Sequence, residues 1–212
     1  RARHREERHH QLDHVGGATV TVENESDAKD VWCSSANLIG GTVWFFADRP
    51  DDVEPLDYLF VDEAGQVALA NLVAAGTNSR SIVLLGDQMQ LGQPIQGVHP
   101  GRSGDSALDY LLDGVATIAP DRGVFLATSW RMHPEVCRFI SQAVYDGRLH
   151  PEPGNVRRTL ILQDDAHALL RPAGIVHAPI EHQGCSQRSE PEAELVGALY
   201  ASALQQRYTD KD

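Results

Sequence analysis

The chain has 212 residues, with 18 Lys+Arg against 30 Asp+Glu, 42% hydrophobic and 23% charged. That length suits one or two domains with a real core, and the composition is neither disordered nor collagen-like. A net charge of −12 excludes holding nucleic acid by bulk charge alone, but not through a local groove.

No apolar run approaches the roughly 18–20 residues of a membrane span, and the charged start RARHREERHH lacks the apolar stretch of a secretory signal. Residues 1–14 are polar and carry His4, His9, His10 and His14; they read as an exposed segment, the frayed end of a helix, rather than a metal site. Cys33, Cys137 and Cys185 are odd in number, far apart and without a CxxC, which fits a reducing cytoplasm better than a disulfide framework or a zinc site. Only Lys29 and Lys211 are lysines, a bias that reads first as genomic base composition. The chain starts at Arg1 and ends in the polar YTDKD, so it is expected to be a piece of something longer.

From residue 43 the rhythm is regular. Apolar runs at Val43–Ala47, Tyr58–Val61, Ile82–Leu85 and Val124–Ala127 predict strands buried on both faces of a parallel sheet. Between them, Val67–Ala75 predicts a helix closing at Gly76, and Ser106–Leu112 a helix capped by its serine, with Leu108, Leu111 and Leu112 on one face. Pro134 opens a helix in which Val136, Phe139, Ile140, Ala143 and Val144 recur at helical spacing. Pro151 to Arg158 reads as a loop, and Leu160–Leu162 and Ile175–His177 as short strands. Glu190-Pro191-Glu192 starts a last helix with Leu195, Leu199 and Ala203 on one stripe. The alternation predicts an α/β fold with right-handed helical crossovers.

Three segments carry chemistry. Asp62-Glu63 follows an apolar strand, and ligands of open α/β sheets bind beyond the carboxyl ends of strands. There an aspartate can hold hydrated Mg²⁺ while the adjacent glutamate orients and deprotonates a water. With 18 Asp and 12 Glu in the chain, chance supplies about one such dipeptide, so its position is what counts. Seven acids and one base, Arg49, lie between Asp48 and Glu63, and a solvated acidic strand end is the plainer alternative. Gly86-Asp87 ends the next apolar run, followed by Gln88-Met89-Gln90-Leu91-Gly92-Gln93-Pro94; here an amide could sense a terminal phosphate, against a plain connecting loop. Ser129-Trp130-Arg131-Met132-His133-Pro134 follows a third run, and its arginine could offer a guanidinium fork to phosphate oxygens. His133 reads as structural, bonding nearby backbone, and Trp130 as core or interface rather than a base-stacking platform.

In this order the three segments resemble the superfamily-one helicases, specifically the Upf-like branch of RNA and DNA translocases. The resemblance rests on VDEAGQ (motif II, the Walker B acids), LLGDQMQLGQP (motif III) and SWRMHP (motif IV). Gly40-Gly41-Thr42 with Trp44, and Val144-Tyr145-Asp146-Gly147-Arg148-Leu149, support it. It spans about residues 40–150, with a looser match at Glu192-Ala193. It implies two partial RecA-like domains, each a parallel sheet flanked by helices: residues 1–122 with motifs II and III, and 123–212 with motif IV. It further implies ATP and Mg²⁺ as cofactors, bound in a cleft whose closure moves single-stranded nucleic acid. Asp62 would bind Mg²⁺ through water and Glu63 would be the catalytic base. Gln90 would contact the γ-phosphate with support from Asp87, and Arg131 would act as an arginine finger. Thr42 would lie near the nucleic-acid strand. The implied partners are single-stranded DNA or RNA and the rest of a parent helicase chain, with a fused nuclease domain as an option that no residue identifies; no membrane is implied.

The chain departs from the family at one decisive place. The family's GxxxxGK[ST] loop, whose lysine and amides cradle the phosphates, is absent, because Lys29 follows Ala28 and Lys211 follows Asp210. The late motifs of the second domain are absent too, and Trp130 stands where the family more often has tyrosine. Alone, the 212 residues are therefore expected not to hydrolyse ATP at a meaningful rate. Two alternatives stand beside the helicase: a degenerate RecA-like binding module without hydrolysis, and another phosphate-loop NTPase such as a GTPase, for which the guanine-reading Asn-Lys-x-Asp is missing.

Overall fold

The computed structural model describes residues 12–15, 18–20, 28–92, 97, 100–181 and 183–210. His4, His9, His10, Gln93, Pro94 and Lys211 lie outside them. The chain is mixed α/β, with small parallel and antiparallel sheets, and it divides into two compact units, Arg1–Asp113 and Gly114–Asp212. Among the described residues no helix is long and apolar enough to cross a membrane.

In the first unit, β1 (Leu12–Val15) and β2 (Ala18–Val20) pair antiparallel, so residues 12–14 are strand and not the end of a helix. Helix α1 (Ala28–Trp32) follows. The apolar run Val43–Ala47, expected as a strand, is instead a short helix, α2. Two causes, a local cap and a contact with a preceding helix, outweigh its β-prone composition. The Thr42 hydroxyl oxygen accepts the Phe45 N–H at 3.4 Å, and a helical turn lets Phe45 stack on Trp32, with centroids 5.1 Å apart, while Phe46 meets both rings edge-on. An apolar run of five residues has no periodicity to decide between helix and strand.

Strand β3 (Leu56–Val61), helix α3 (Leu69–Gly76) and strand β4 (Ser79–Leu84) form the parallel unit the alternation predicts, in register from Leu56↔Ser79 to Val61↔Leu84. Gly76 is the last helical residue and not the cap, a place taken by Thr77. Helix α3 packs on β4, with Gly76 so close to Ile82 that a Cβ would lie 2.6 Å from its Cδ1. This covers the face of Leu59 and Val61, which with Leu72 and Ala75 are buried. Fully burying each of the larger of these side chains contributes about 1.5–3 kcal/mol. The opposite face is not covered by the described residues: Tyr58 and Phe60 are 62% and 60% exposed. The strand is thus buried on one face only, which corrects the expectation of burial on both.

Helix α4 (Ala107–Leu112) begins where Ser106 predicts. Its Oγ accepts the Asp109 N–H at 3.0 Å and donates to Asp109 Oδ2 at 2.7 Å. Leu108 and Leu112 are buried, but Leu111 turns to the surface. Arg102 holds the helix from below, pairing with Asp105 at 2.6 Å and Asp113 at 3.0 Å and lying over the Tyr110 ring. Those hydrogen bonds and charges raise the Arg102 pKa further above its ordinary value, led by the bond to Asp105. Ser106→Ala removes the cap and is expected to lower stability by about 1 kcal/mol, read as a reduced urea midpoint; an unchanged midpoint would show that the cap is not what starts this helix.

In the second unit Val124–Ala127 is not a strand, and Val124 and Leu126 are 82% and 81% exposed. Pairing starts only at β5 (Thr128–Ser129), parallel to β6 (His150–Pro151). The chain before β6 is a turn, with Asp146 and Gly147 at positive φ, so it offers residues 124–126 no strand to pair with; Tyr145 and Arg148 meet the Phe125 ring and His150 N–H bonds the Ala127 carbonyl at 2.7 Å. Helix α5 (Pro134–Val144) has Pro134 in its first turn. It buries Cys137 and Ser141 and leaves Phe139 exposed, so its inward face is rotated from the expected one; burial pushes the Cys137 thiol pKa up. The expected loop at 151–158 holds a 3₁₀ turn, Pro153–Arg157. Strand β7 (Thr159–Ile161) pairs antiparallel with β8 (Arg207–Thr209), a partner about 50 residues away that local pattern does not announce, while Ile175–His177 is not a strand. Helix α6 (Glu190–Ala203) half-buries the stripe Leu195, Leu199 and Ala203. The four expected strand runs therefore do not join in one sheet among the described residues.

Candidate functional site

The parallel ladder continues past the end of β3. Leu85 N–H bonds the Val61 carbonyl at 2.9 Å and Ala64 N–H bonds the Leu85 carbonyl at 2.8 Å, which carries Asp62-Glu63 and Gly86-Asp87 out at the same edge of the sheet. Two glycines then let the loops touch through their backbones. A Cβ on Gly65 would lie 2.5 Å from the Asp87 carbonyl oxygen, and one on Gly86 would lie 2.7 Å from the Ala64 nitrogen. Glycine is required at both places because each faces backbone, which cannot rotate aside.

Asp62 is exposed; its Oδ1 accepts the Glu63 N–H at 3.0 Å. It lines an open groove of about 760 Å³ whose other walls include Tyr58, Phe60 and residues 36–41. Glu63 has φ 53° and ψ 41°, the left-handed conformation, in a residue with a Cβ. Such a backbone costs of order 1–3 kcal/mol and persists only where its surroundings impose it. Here the 3₁₀ turn Ala64–Gln66, with Ala64 wholly buried against the second loop, does so. Glu63 is exposed at the strand end.

Asp87 shapes the second loop. Its Oδ1 accepts the Met89 N–H at 3.0 Å, and its Oδ2 accepts Gln90 Nε2 at 3.0 Å. The Gln90 amide is thus oriented by Asp87, its carbonyl oxygen facing away from the carboxylate. The start of α4 braces the stretch after Glu63 from the far side, through Ala107 N–H to the Val67 carbonyl at 2.8 Å and Leu69 N–H to the Asp105 carbonyl at 2.9 Å. The backbones that carry Asp62-Glu63 and Asp87–Gln90 therefore meet at one edge of the sheet, and of the four side chains Asp62 lines the groove. Thr42, in the same unit, spends its hydroxyl oxygen on the cap of α2.

Arg131 belongs to the second unit and is exposed; among the described residues its guanidinium makes no hydrogen bond or ion pair. Ser129 Oγ accepts the Met132 N–H at 3.2 Å, and His133 Nδ1 accepts the Glu135 N–H at 3.1 Å, capping α5. His133 does bond nearby backbone, and Trp130 is exposed rather than in the core. The sequence motifs gave no sign of Asn155 and Arg158, which hold the carbonyls of this turn. They lie 23 to 28 residues downstream, in a segment expected only as a loop.

No cluster of three or more His, Cys, Asp or Glu able to hold a metal exists among the described residues. A hydrated Mg²⁺ needs less, because it takes one or two carboxylates and completes its shell with water and phosphate oxygens. Asp62 fits that requirement, since its Oδ2 has no partner among the described residues. Fold and site together define a mixed α/β chain that sets two carboxylates and an aspartate-held amide at the carboxyl end of a parallel strand pair. No protein-family model and no curated protein matches it.

Proposed function

We propose that the chain is a fragment of an ATP-dependent helicase or translocase of single-stranded nucleic acid, inactive alone, which carries part of the hydrolytic site on partial RecA-like domains and works in the cytoplasm. The observation that carries this reading is the reciprocal packing of Gly65 and Gly86, which supports a joint role for Asp62-Glu63 and Asp87–Gln90. Unrelated surface acids have no need of a backbone contact that close, nor of a strained glutamate at its edge.

In this reading Asp62 holds the hydrated Mg²⁺ of MgATP. When bound, the cation neutralises charge developing on the phosphoryl oxygens. Glu63, exposed beside it, takes the proton of the attacking water. The Gln90 amide, turned by Asp87, hydrogen-bonds the terminal phosphate, and Arg131 stabilises the transition-state charge. The cradle for the remaining phosphates is not among these residues, since no GxxxxGK[ST] occurs. That absence is also the observation that favours the second reading, a binding module without hydrolysis.

The test is ATP turnover by the full-length polypeptide containing these residues, with single-stranded RNA and single-stranded DNA as activators. Glu63→Gln is expected to lower kcat by about 10²–10⁴-fold, as for loss of a general base, with ATP binding retained. Turnover that Glu63→Gln leaves untouched would remove Glu63 from the mechanism. Nucleic-acid binding with no turnover in the wild type would establish the binding module instead.

A further inference from the structure

The carbonyl oxygens of Ser129, Trp130, Arg131 and Met132 are four consecutive acceptors, and all four are taken by two side chains. Asn155 Nδ2 donates to Ser129 O and to Met132 O, both at 3.0 Å. Arg158 Nη1 donates to Trp130 O at 3.3 Å and to Arg131 O at 3.0 Å. Asn155 lies within the 3₁₀ turn Pro153–Arg157 and Arg158 caps it, which sets positions i and i+3 on one side. Glu152 N–H adds a bond to Ser129 O at 2.9 Å. Arg158 is itself fixed, its Nε bonding Asp210 Oδ1 at 2.8 Å beyond the last strand.

Asn155 is 0% exposed, and its Oδ1 has no hydrogen-bond partner among the described residues. A buried acceptor left unmade costs about 1–3 kcal/mol, a cost Asn155 carries at Oδ1 while its Nδ2 satisfies two backbone carbonyls. An apolar side chain cannot hold two carbonyls. The turn so held exposes one cationic side chain, Arg131, with no competing partner among the described residues.

We infer that Asn155 and Arg158 are positioning residues, a two-residue carbonyl clamp that sets the presentation of the Arg131 guanidinium. This rests on the reading of Arg131 as the phosphate-facing group. The clamp acts on backbone, so it leaves the guanidinium unneutralised, which a carboxylate partner would not.

The experiment uses Asn155→Ala and Arg158→Lys in the full-length polypeptide, each alone and with Arg131→Ala. Arg158→Lys keeps a cation opposite Asp210 but loses the fork, so it serves if Asn155→Ala does not fold. Hydrogen exchange at the Met132 and Glu135 amides is expected to accelerate at least about tenfold while other segments keep their protection. In ATP turnover, kcat is expected to fall about 10²-fold, as for a misplaced catalytic group, with KM for ATP changed less than about twofold. With Arg131→Ala already present, the same substitutions are expected to cost less than about twofold. Unchanged exchange at Met132 and Glu135, or losses that multiply with that of Arg131→Ala, would overturn the clamp. If the wild type turns over no ATP, the functional reading fails separately, and the exchange rates alone decide whether these side chains hold the turn.

Discussion

Arg131→Ala is expected to lower ATP turnover of the full-length polypeptide by about 10³–10⁵-fold, the range for loss of a guanidinium from a transferring phosphoryl group. The expectation rests on what the turn does with its polar groups. Four carbonyls are drawn inward by Asn155 and Arg158 and the Ser129 hydroxyl holds Met132, while the Arg131 guanidinium stays in solvent. Arg131→Lys keeps the charge and loses the bidentate geometry, so it should recover only part of the rate. The measurement is kcat at saturating MgATP with single-stranded nucleic acid present. A loss of less than about tenfold on Arg131→Ala would place the guanidinium away from the phosphates.

Gly65→Ala is expected to destabilise the first unit by about 1–3 kcal/mol, the cost of a methyl group forced into a filled space. The upper end is expected because the methyl would meet the Asp87 carbonyl oxygen at 2.5 Å, and neither loop can retreat without breaking the bonds from Leu85 and Ala64 that continue the ladder. Gly86→Ala should behave alike, meeting the Ala64 nitrogen at 2.7 Å from a φ of 154°. Gly40→Ala is the control: a Cβ there would have nothing within 4 Å, so a change within about 0.5 kcal/mol is expected. Urea midpoints at constant m read all three. Equal midpoints for Gly65→Ala and Gly40→Ala would mean that the two loops are not in backbone contact in solution.

The elements that were legible in the sequence are those whose causes are local. Ser106 with Asp109 three residues on, and Pro134 at a first turn, mark helix starts through bonds inside the helix itself. Tyr58–Val61 and Ile82–Leu85 end at acids, and the β3–α3–β4 alternation is contained within one short stretch, Leu56 to Leu84. The misread elements are those decided by a distant partner. Val43–Ala47 is a helix because Trp32 receives Phe45, Val124–Ala127 has no strand beside it, and Ile175–His177 is not a strand, whereas the strand expected at Leu160–Leu162 forms as Thr159–Ile161 through Arg207–Thr209. A run of apolar residues favours burial, but it names neither the partner that would bury it nor whether it will be helix or strand.

The candidate site divides the same way. The sequence by itself determined the chemical inventory: Asp62, Glu63, Asp87, Gln90 and Arg131, each placed after an apolar run. Residue type and strand-end position are properties of the chain read in order. Only the tertiary structure decided the left-handed turn at Glu63, the Gly65–Gly86 contact and the clamp on residues 129–132. Each depends on atoms brought together from more than about twenty residues apart, through bonds and contacts to backbone carbonyls and amides. Every residue but proline carries both groups, so the sequence holds no mark of which ones will be used.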